Sequence, residues 1–302
     1  MIKYFKRSNN SMFVISRHHM INRVPRYLRT GTDKSYLLNI GSFSIKSTSK
    51  PKQSENEDSY STSKCHICVA DGVGGWNVHG INPAKYSRVL TKSITRNIKE
   101  LDSNNKVDSK NFLSSVLHNA YKEAEESNII GSSTVCLVYF NGINKLYTAN
   151  LGDSGCLVYR RRDNSIIYET PFQQHSFNTP FQLGTGSRDS PNDAIYDTIE
   201  GIQEGDVILI ATDGLWDNLS KEEIIDILSR LDKRNPQVIA EKLGKEACQI
   251  SLDPHHLSPY AINLAKYLNQ RNIDCQNFEK PIYYTGGKPD DITILIGIVE
   301  HK

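Results

Sequence analysis

No aspartate or glutamate occurs before Asp33, although the whole chain carries 34 acidic residues against 36 lysines and arginines. Residues 1 to 32 hold seven bases, Lys3, Lys6, Arg7, Arg17, Arg23, Arg26 and Arg29, with apolar residues scattered among them. They lack the compact apolar core of a secretory signal. An arginine-bearing, acid-free leader of this kind is expected to be a mitochondrial presequence, with the matrix as destination. With those seven bases set aside, 29 face 34 acids, so the remainder is mildly acidic, about −5. That excludes a basic body built for nucleic acid. No apolar run approaches the roughly 20 residues a membrane-spanning helix needs.

Cysteine is also sparse. Six (65, 68, 136, 156, 248 and 275) lie scattered over 302 residues, which excludes a small disulfide-stapled scaffold and makes reduced thiols the default. Cys65 and Cys68 form a lone C-x-x-C. A strand is expected at 67–70, and positions three apart on a strand point to opposite faces, so zinc is not expected there.

What is present is a 38% apolar chain, long enough for one large core. Residues 33 to 54 are expected to be a poorly ordered lead-in, rich in Ser, Lys and Asn, with an apolar patch at Tyr36 to Ile40. Apolar, β-branched runs predict strands at 67–70, 133–140, 145–150, 156–160, 207–212 and 292–299. Helical periodicity predicts helices over 83–101 and 108–126, and further helices at 236–251 and 258–269. Another follows Ser220, whose spacing to Glu223 makes a capping box. Strands come in runs and helices in groups, so the expected class is α+β with mainly antiparallel sheet, as one domain.

Several acids sit where strands end. "ICVADGVGGW" breaks at Asp71 into glycines, and "VILIATDGLWDN" places Asp213-Gly214 after another strand. "ENEDSY" puts Glu57 and Asp58 before a β-like stretch. "GGKPDDITILIGIV" sets Asp290 and Asp291 at the start of the last strand, and Asp153 lies in the turn of "ANLGDSGCLV". One Asp-Gly is an ordinary turn. Several oxygen-only sites without histidine suggest a hard cation, Mg²⁺ or Mn²⁺, in place of zinc. A glycine after the acid lets its backbone approach the ion closely.

"NED", "VADGVGGW", "GSSTVCLVYF", "ANLGDSGCLVYR", "ATDGLWDN" and "GKPDDITILI" together resemble the metal-dependent protein phosphatases of type 2C, over about residues 55 to 300. "QQHSFNTPFQL" and "LSPYA" resemble the mitochondrial branch of that family. The resemblance implies an antiparallel β-sandwich with helices on both outer faces (αββα) and two metal ions at one end. By position, Asp71 is the bridging carboxylate and Gly72 a carbonyl ligand. Asp213 and Asp290 would hold the second ion, with Asp290 and not Asp291 as the ligand. Glu57 and Asp58 would hold metal-bound waters, and Asp153 matches a third, weaker metal position. The implied reaction is in-line attack on phosphoserine or phosphothreonine by a water that two Mg²⁺ or Mn²⁺ ions activate. Asp71 and Asp213 would act through that water, and a monomer acting on mitochondrial phosphoproteins is expected.

Two positions depart from the family pattern. Many relatives have His after the bridging Asp-Gly, where this chain has Val73, which leaves the general acid unassigned; His175 is an alternative. Many also have a phosphate-binding Arg four residues before the Glu, where this chain has Gln53, with Lys52 the nearest base. Trp76 and Trp216 are expected to buttress the acidic turns, and Ser132, Ser133 and Thr134 to open a strand without nucleophilic duty.

Other chemistries fit less well. Cys156 to Arg162 satisfies C-x5-R, but "CLVYRRR" reads as a strand whose ends lie roughly 20 Å apart, too far to close a phosphate loop. "TGGKP" lacks the P-loop pattern. The rival from another class is a catalytically weak metal-binding scaffold that recognises phosphoproteins, with Val73 and Gln53 as signs of erosion.

Overall fold

Period-two alternation organises the molecule. In the strand His66–Asp71, Ile67 and Val69 face one cluster of buried residues and Cys68 another. In Val135–Phe140 the residues Cys136, Val138 and Phe140 face the first of these, while Val135, Leu137 and Tyr139 face the second. Strands buried on both faces read as unbroken apolar runs, which is why the sequence shows them so clearly.

The computed structural model describes residues 35–103, 111–231, 235–274 and 282–302. The expected leader, 1–32, lies outside the described residues, as does Cys275. One antiparallel sheet runs, in spatial order, Tyr36–Ile45, Ile292–His301, Val207–Ala211, Gly155–Arg160 and Ser165–Glu169. The other runs Ile195–Glu200, Lys145–Leu151, Val135–Phe140, His66–Asp71 and Asp58–Thr62. Leu38, Ile67, Val138, Ile208, Ile210 and Leu295 meet between the sheets.

Helices cover both outer faces. α1 (Ala84–Ser103) and α2 (Phe112–Glu126) pack Leu90, Ile94, Phe112 and Leu117 on the second sheet. α4 (Lys221–Arg230) and α5 (Pro236–Ser251) pack Ile224, Leu228, Ile239 and Leu243 on the first. Between them in the chain lies a one-turn helix, α3 (Asp213–Trp216), before α4, and α6 (Pro259–Asp274) follows α5. Ser220 and Glu223 make the expected capping box of α4. This is an αββα sandwich.

Two expectations are corrected. The expected lead-in over 33–54 is, within its described residues, no poorly ordered segment: Tyr36–Ile45 is a strand paired with Ile292–His301 along its whole length. Its outer face meets α5 instead of a second run of apolar residues, so the polar Asn39, Ser42 and Ser44 disguise it. The two thiols of C-x-x-C do not point apart. Cys65 precedes the strand, where alternation does not apply, and both pack on the helix-facing cluster. Burial pushes the Cys68 thiol up, which leaves it inert.

Candidate active site

The acids of the sequence converge because strand ends from both sheets meet at one end of the sandwich. Asp71 ends its strand directly opposite Asp58 in the antiparallel register. Its backbone is locked: the Ser133 hydroxyl and the Thr134 N–H donate to its carbonyl at 2.8 and 2.9 Å. Asp213 opens α3 immediately after the strand Val207–Ala211. The two glycines that follow these aspartates are forced by close approach. A Cβ on Gly72 would stand 2.8 Å from the Glu57 and Pro83 carbonyl oxygens, and one on Gly214 2.1 Å from that of Asp291.

Glu57, Asp71, Gly72, Asp153, Asp213 and Asp290 all line one cavity of about 330 Å³. Asp58 lies beneath it, buried, with one carboxylate oxygen accepting from the Thr212 hydroxyl at 2.8 Å. Asp291 faces away from the cavity's chemistry. It is buried, and its oxygens accept from the Ser47 and Glu57 N–H groups at 2.8 and 2.7 Å and from Lys50 at 2.9 Å. Asp290, its neighbour, lines the cavity.

Two lysines that the motifs did not mark complete the site. Lys50 Nζ lies 2.7 Å from Glu57, 2.9 Å from Asp291 and 3.4 Å from Asp290. Lys288 Nζ lies 2.5 Å from Asp213, 2.8 Å from Asp217 and 3.3 Å from Asp290. Burial alone would pull both ammonium groups down, but the surrounding carboxylates lift both above the ordinary lysine range. Lys288 belongs to "TGGKP", the stretch that lacks the P-loop pattern. Asn218 grips its backbone on both sides, accepting from the Lys288 N–H at 2.8 Å and donating to its carbonyl at 2.9 Å. Tyr260 of α6 lies under its ammonium, 5.8 Å from the ring centre.

Positive charge is still short. Burial first, then neighbouring carboxylates, raises Asp58 to about 8 and Asp153 to about 7, and pushes Asp71 well above its usual range. Oδ1 of Asp58, of Asp153 and of Asp213 is buried and accepts no hydrogen bond. Among the described residues, no three acidic, histidine or cysteine side chains are closed into a single ligand cage. The lysines hold the carboxylates around the cavity, and three buried carboxylate oxygens beside it have no hydrogen-bond partner. Oxygen-only donors, unsatisfied and short of countercharge, fit a hard divalent cation.

Other expected residues fall elsewhere. His175 does not line the cavity; its Nε2 sits 2.9 Å from both Asp189 oxygens and its ring stacks on Phe181 at 4.0 Å. Its neighbour Gln174 is the residue that reaches the site, donating to Asp153 at 2.8 Å. Lys52 is exposed and outside the cavity, and Gln53 lines a separate surface depression. Val73 does line the cavity, as do Asn77, Asn178 and Thr134. Asn77 donates to Glu57 at 2.7 Å. Trp76 donates its indole N–H to the Ser132 hydroxyl at 2.7 Å, and Trp216 to the Ala211 carbonyl at 2.9 Å, so both brace the acidic turns. Cys156 is buried in a strand and Arg162 pairs with Asp163, so no phosphate loop forms there.

Comparison with known proteins decides the family. Residues 49–246 match the family model described as protein phosphatase 2C. The chain belongs to the protein phosphatase 2C family. It is 38% identical over 248 residues to a protein phosphatase PTC7 homolog of Xenopus laevis, covering 76% of this chain and 75% of that one. The PTC7 homolog of Homo sapiens is also 38% identical, over 247 residues, covering 76% and 74%. Among solved structures, the photosystem II phosphatase PBCP superposes with a TM-score of 0.73 at 27% identity, covering 87% of this chain and 99% of that one. The phosphatase PstP, solved with two manganese ions, shares the fold at TM-score 0.59 and 17% identity, covering 88% and 99%. The chain is thus a protein phosphatase of the 2C type. Among the described residues no helix is long and apolar enough to cross a membrane.

Proposed function

We propose that this protein phosphatase is a metal-dependent serine/threonine phosphatase that takes two Mg²⁺ or Mn²⁺ ions. The observation that carries this is the gathering of Asp71, Asp213, Asp290, Asp153 and Glu57 around one cavity, with buried oxygens of Asp58, Asp153 and Asp213 left without a hydrogen-bond partner. Asp71 and the Gly72 carbonyl would hold one ion, Asp71, Asp213 and Asp290 the other, with Glu57 and Asp58 placing water and Asp153 a weaker third site. Two such ions supply a Lewis-acid clamp on the phosphate and lower the pKa of the attacking water.

The chain's own groups do the rest. Lys50 and Lys288 bring positive charge to the cavity for phosphoryl oxygens, and Asn77, from the glycine-rich turn, holds Glu57 in place. Lys50, and not Lys52, is the base in its loop that lines the cavity. Among the described residues no histidine lines the cavity, so proton delivery to the leaving serine or threonine oxygen would fall to solvent. Attack by a metal-activated water would need no covalent phosphoenzyme.

One observation favours the rival, a weakly catalytic phosphoprotein-binding scaffold: Lys50 and Lys288 bridge the same carboxylates that a metal would need. Hydrolysis of a phosphothreonine peptide by the full chain, titrated with Mn²⁺ and then quenched with EDTA, separates the two. Metal-dependent turnover supports the phosphatase. Inactivity at saturating metal would leave the scaffold. The acid-free leader further assigns the enzyme to mitochondria, acting on phosphoproteins there. Import of the full chain into isolated mitochondria, with loss of residues near 1–32, tests it; exclusion from the organelle would overturn it.

A further inference from the structure

Beside the acidic cavity lies a larger one of about 650 Å³, and Asp153 and Asp213 form a wall common to both. Its character is opposite. Leu157 and Cys156 make its floor, and Phe172, Trp216, Leu219 and Ile262 its sides. The Phe172 ring is 49% exposed and lies 6.1 Å from that of Trp216. Gly155 permits this: a Cβ there would stand 2.7 Å from the Phe172 ring, so only glycine lets the aromatic lie across the strand. The indole of Trp216 is fixed by its bond to the Ala211 carbonyl. A preformed apolar trough with an aromatic left to water is a poor arrangement for a surface that nothing covers.

Charge narrows the occupant. The rim carries Glu169, Glu222 and Lys221, and Lys221 is engaged by Glu169 at 2.7 Å, so the rim stays net negative. An acidic peptide is therefore disfavoured. A small phosphate ester would occupy the acidic cavity alone, whereas a polypeptide whose phosphate sits there can extend over the adjoining trough.

We infer that this trough is a specificity subsite for the phosphoprotein: it takes an apolar side chain flanking the phosphorylated residue, with a lysine or arginine beside it. This rests on the phosphatase reading above. Phe172 and Ile262 grip the side chain, and Glu222 faces the neighbouring base. None of these three touches the carboxylates that would bind metal.

The test compares three substrates on the full chain with Mn²⁺: para-nitrophenyl phosphate, a basic phosphothreonine peptide with leucine scanned through the flanking positions, and the same peptide with alanine. At one position leucine should raise kcat/KM about tenfold over alanine, through KM. Phe172→Ala and, independently, Ile262→Glu should bring that ratio close to one, while para-nitrophenyl phosphate hydrolysis stays within about twofold. Equal kcat/KM for leucine and alanine at every position would overturn the subsite, as would a leucine preference that survives both variants. Variants that lose para-nitrophenyl phosphate hydrolysis as severely as peptide hydrolysis would overturn it too. If the unaltered chain hydrolyses none of the three, the phosphatase reading itself falls, an outcome distinct from the others.

Discussion

The two halves of the acidic cavity are built alike and held differently. The half from the second sheet offers Glu57, Asp58 and Asp71 and is served by Lys50, which lies on a loop. That loop is gathered by the Lys46 ammonium, which donates to the Pro51, Lys52 and Ser54 carbonyls. The half from the first sheet offers Asp213, Asp217 and Asp290 and is served by Lys288, whose peptide is clamped by Asn218 and whose ammonium lies over Tyr260. Lys288 is more deeply enclosed, with a side-chain exposure of 14% against 21% for Lys50. One countercharge is built into the frame, and the other hangs on a strap. A buried charge stripped of its partner costs far more than a half-exposed one.

That difference can be broken at its centre first. Asp71→Asn removes the carboxylate nearest both halves and should lower kcat on phosphopeptides by at least on the order of 10²–10³. Because it also relieves a crowd of like charges, its melting temperature in EDTA should equal or exceed that of the unaltered protein; a fall in both would mean the residue is structural only. Next, Lys288→Met should destabilise the metal-free protein by roughly 3–5 kcal/mol, the range for breaking a buried ion cluster. Lys50→Met, partly open to solvent, should cost no more than about 1–2 kcal/mol after screening. Urea unfolding in EDTA reads both, and equal costs would erase the contrast.

Metal addition should then shrink the gap. Saturation at a hundredfold over Kd should stabilise the unaltered chain by about 2.7 kcal/mol, and EDTA should return it to the metal-free value. An effect independent of the acidic cavity lies at the opposite end of the Asp71 strand. His66 is buried, its Nδ1 2.6 Å from the Ser63 hydroxyl, and burial followed by the charge of Lys99 lowers it to about 4. Its folded pKa lies below the unfolded value, so the neutral ring's contribution is complete above about pH 6.5. It is lost as pH falls toward 4, by up to roughly 3 kcal/mol. His66→Gln should flatten the stability profile over that interval while leaving the profile of the acidic cavity in place.

Much of the frame was legible from residue patterns. The central strands announce themselves as unbroken runs of Val, Ile, Leu and Cys because both their faces are buried, and α4 announces its start through Ser220 and Glu223. The edge strands Tyr36–Ile45, Ser165–Glu169 and Ile195–Glu200 were not, since one flank of each is half-buried or open and their residues are mixed. The acids were visible as strand-end punctuation. Lys50 was not: a lysine in a Ser- and Lys-rich loop carries no local signal, and Lys52 looked closer because chain distance stood in for distance in space. His175 misled for the opposite reason, since its motif was distinctive but its ring is turned to Asp189 and Phe181.

By itself, then, the sequence determined the alternation that stacks two sheets between helices, and the carboxylate chemistry at the strand ends. Both are properties of residues and their near neighbours. Tertiary structure alone decided which lysines neutralise those carboxylates and where an apolar trough adjoins them. Those outcomes depend on groups brought within a few ångströms across 75 residues for Lys288 and Asp213 and 241 for Lys50 and Asp291, and electrostatic and packing energies respond to that separation, not to order along the chain.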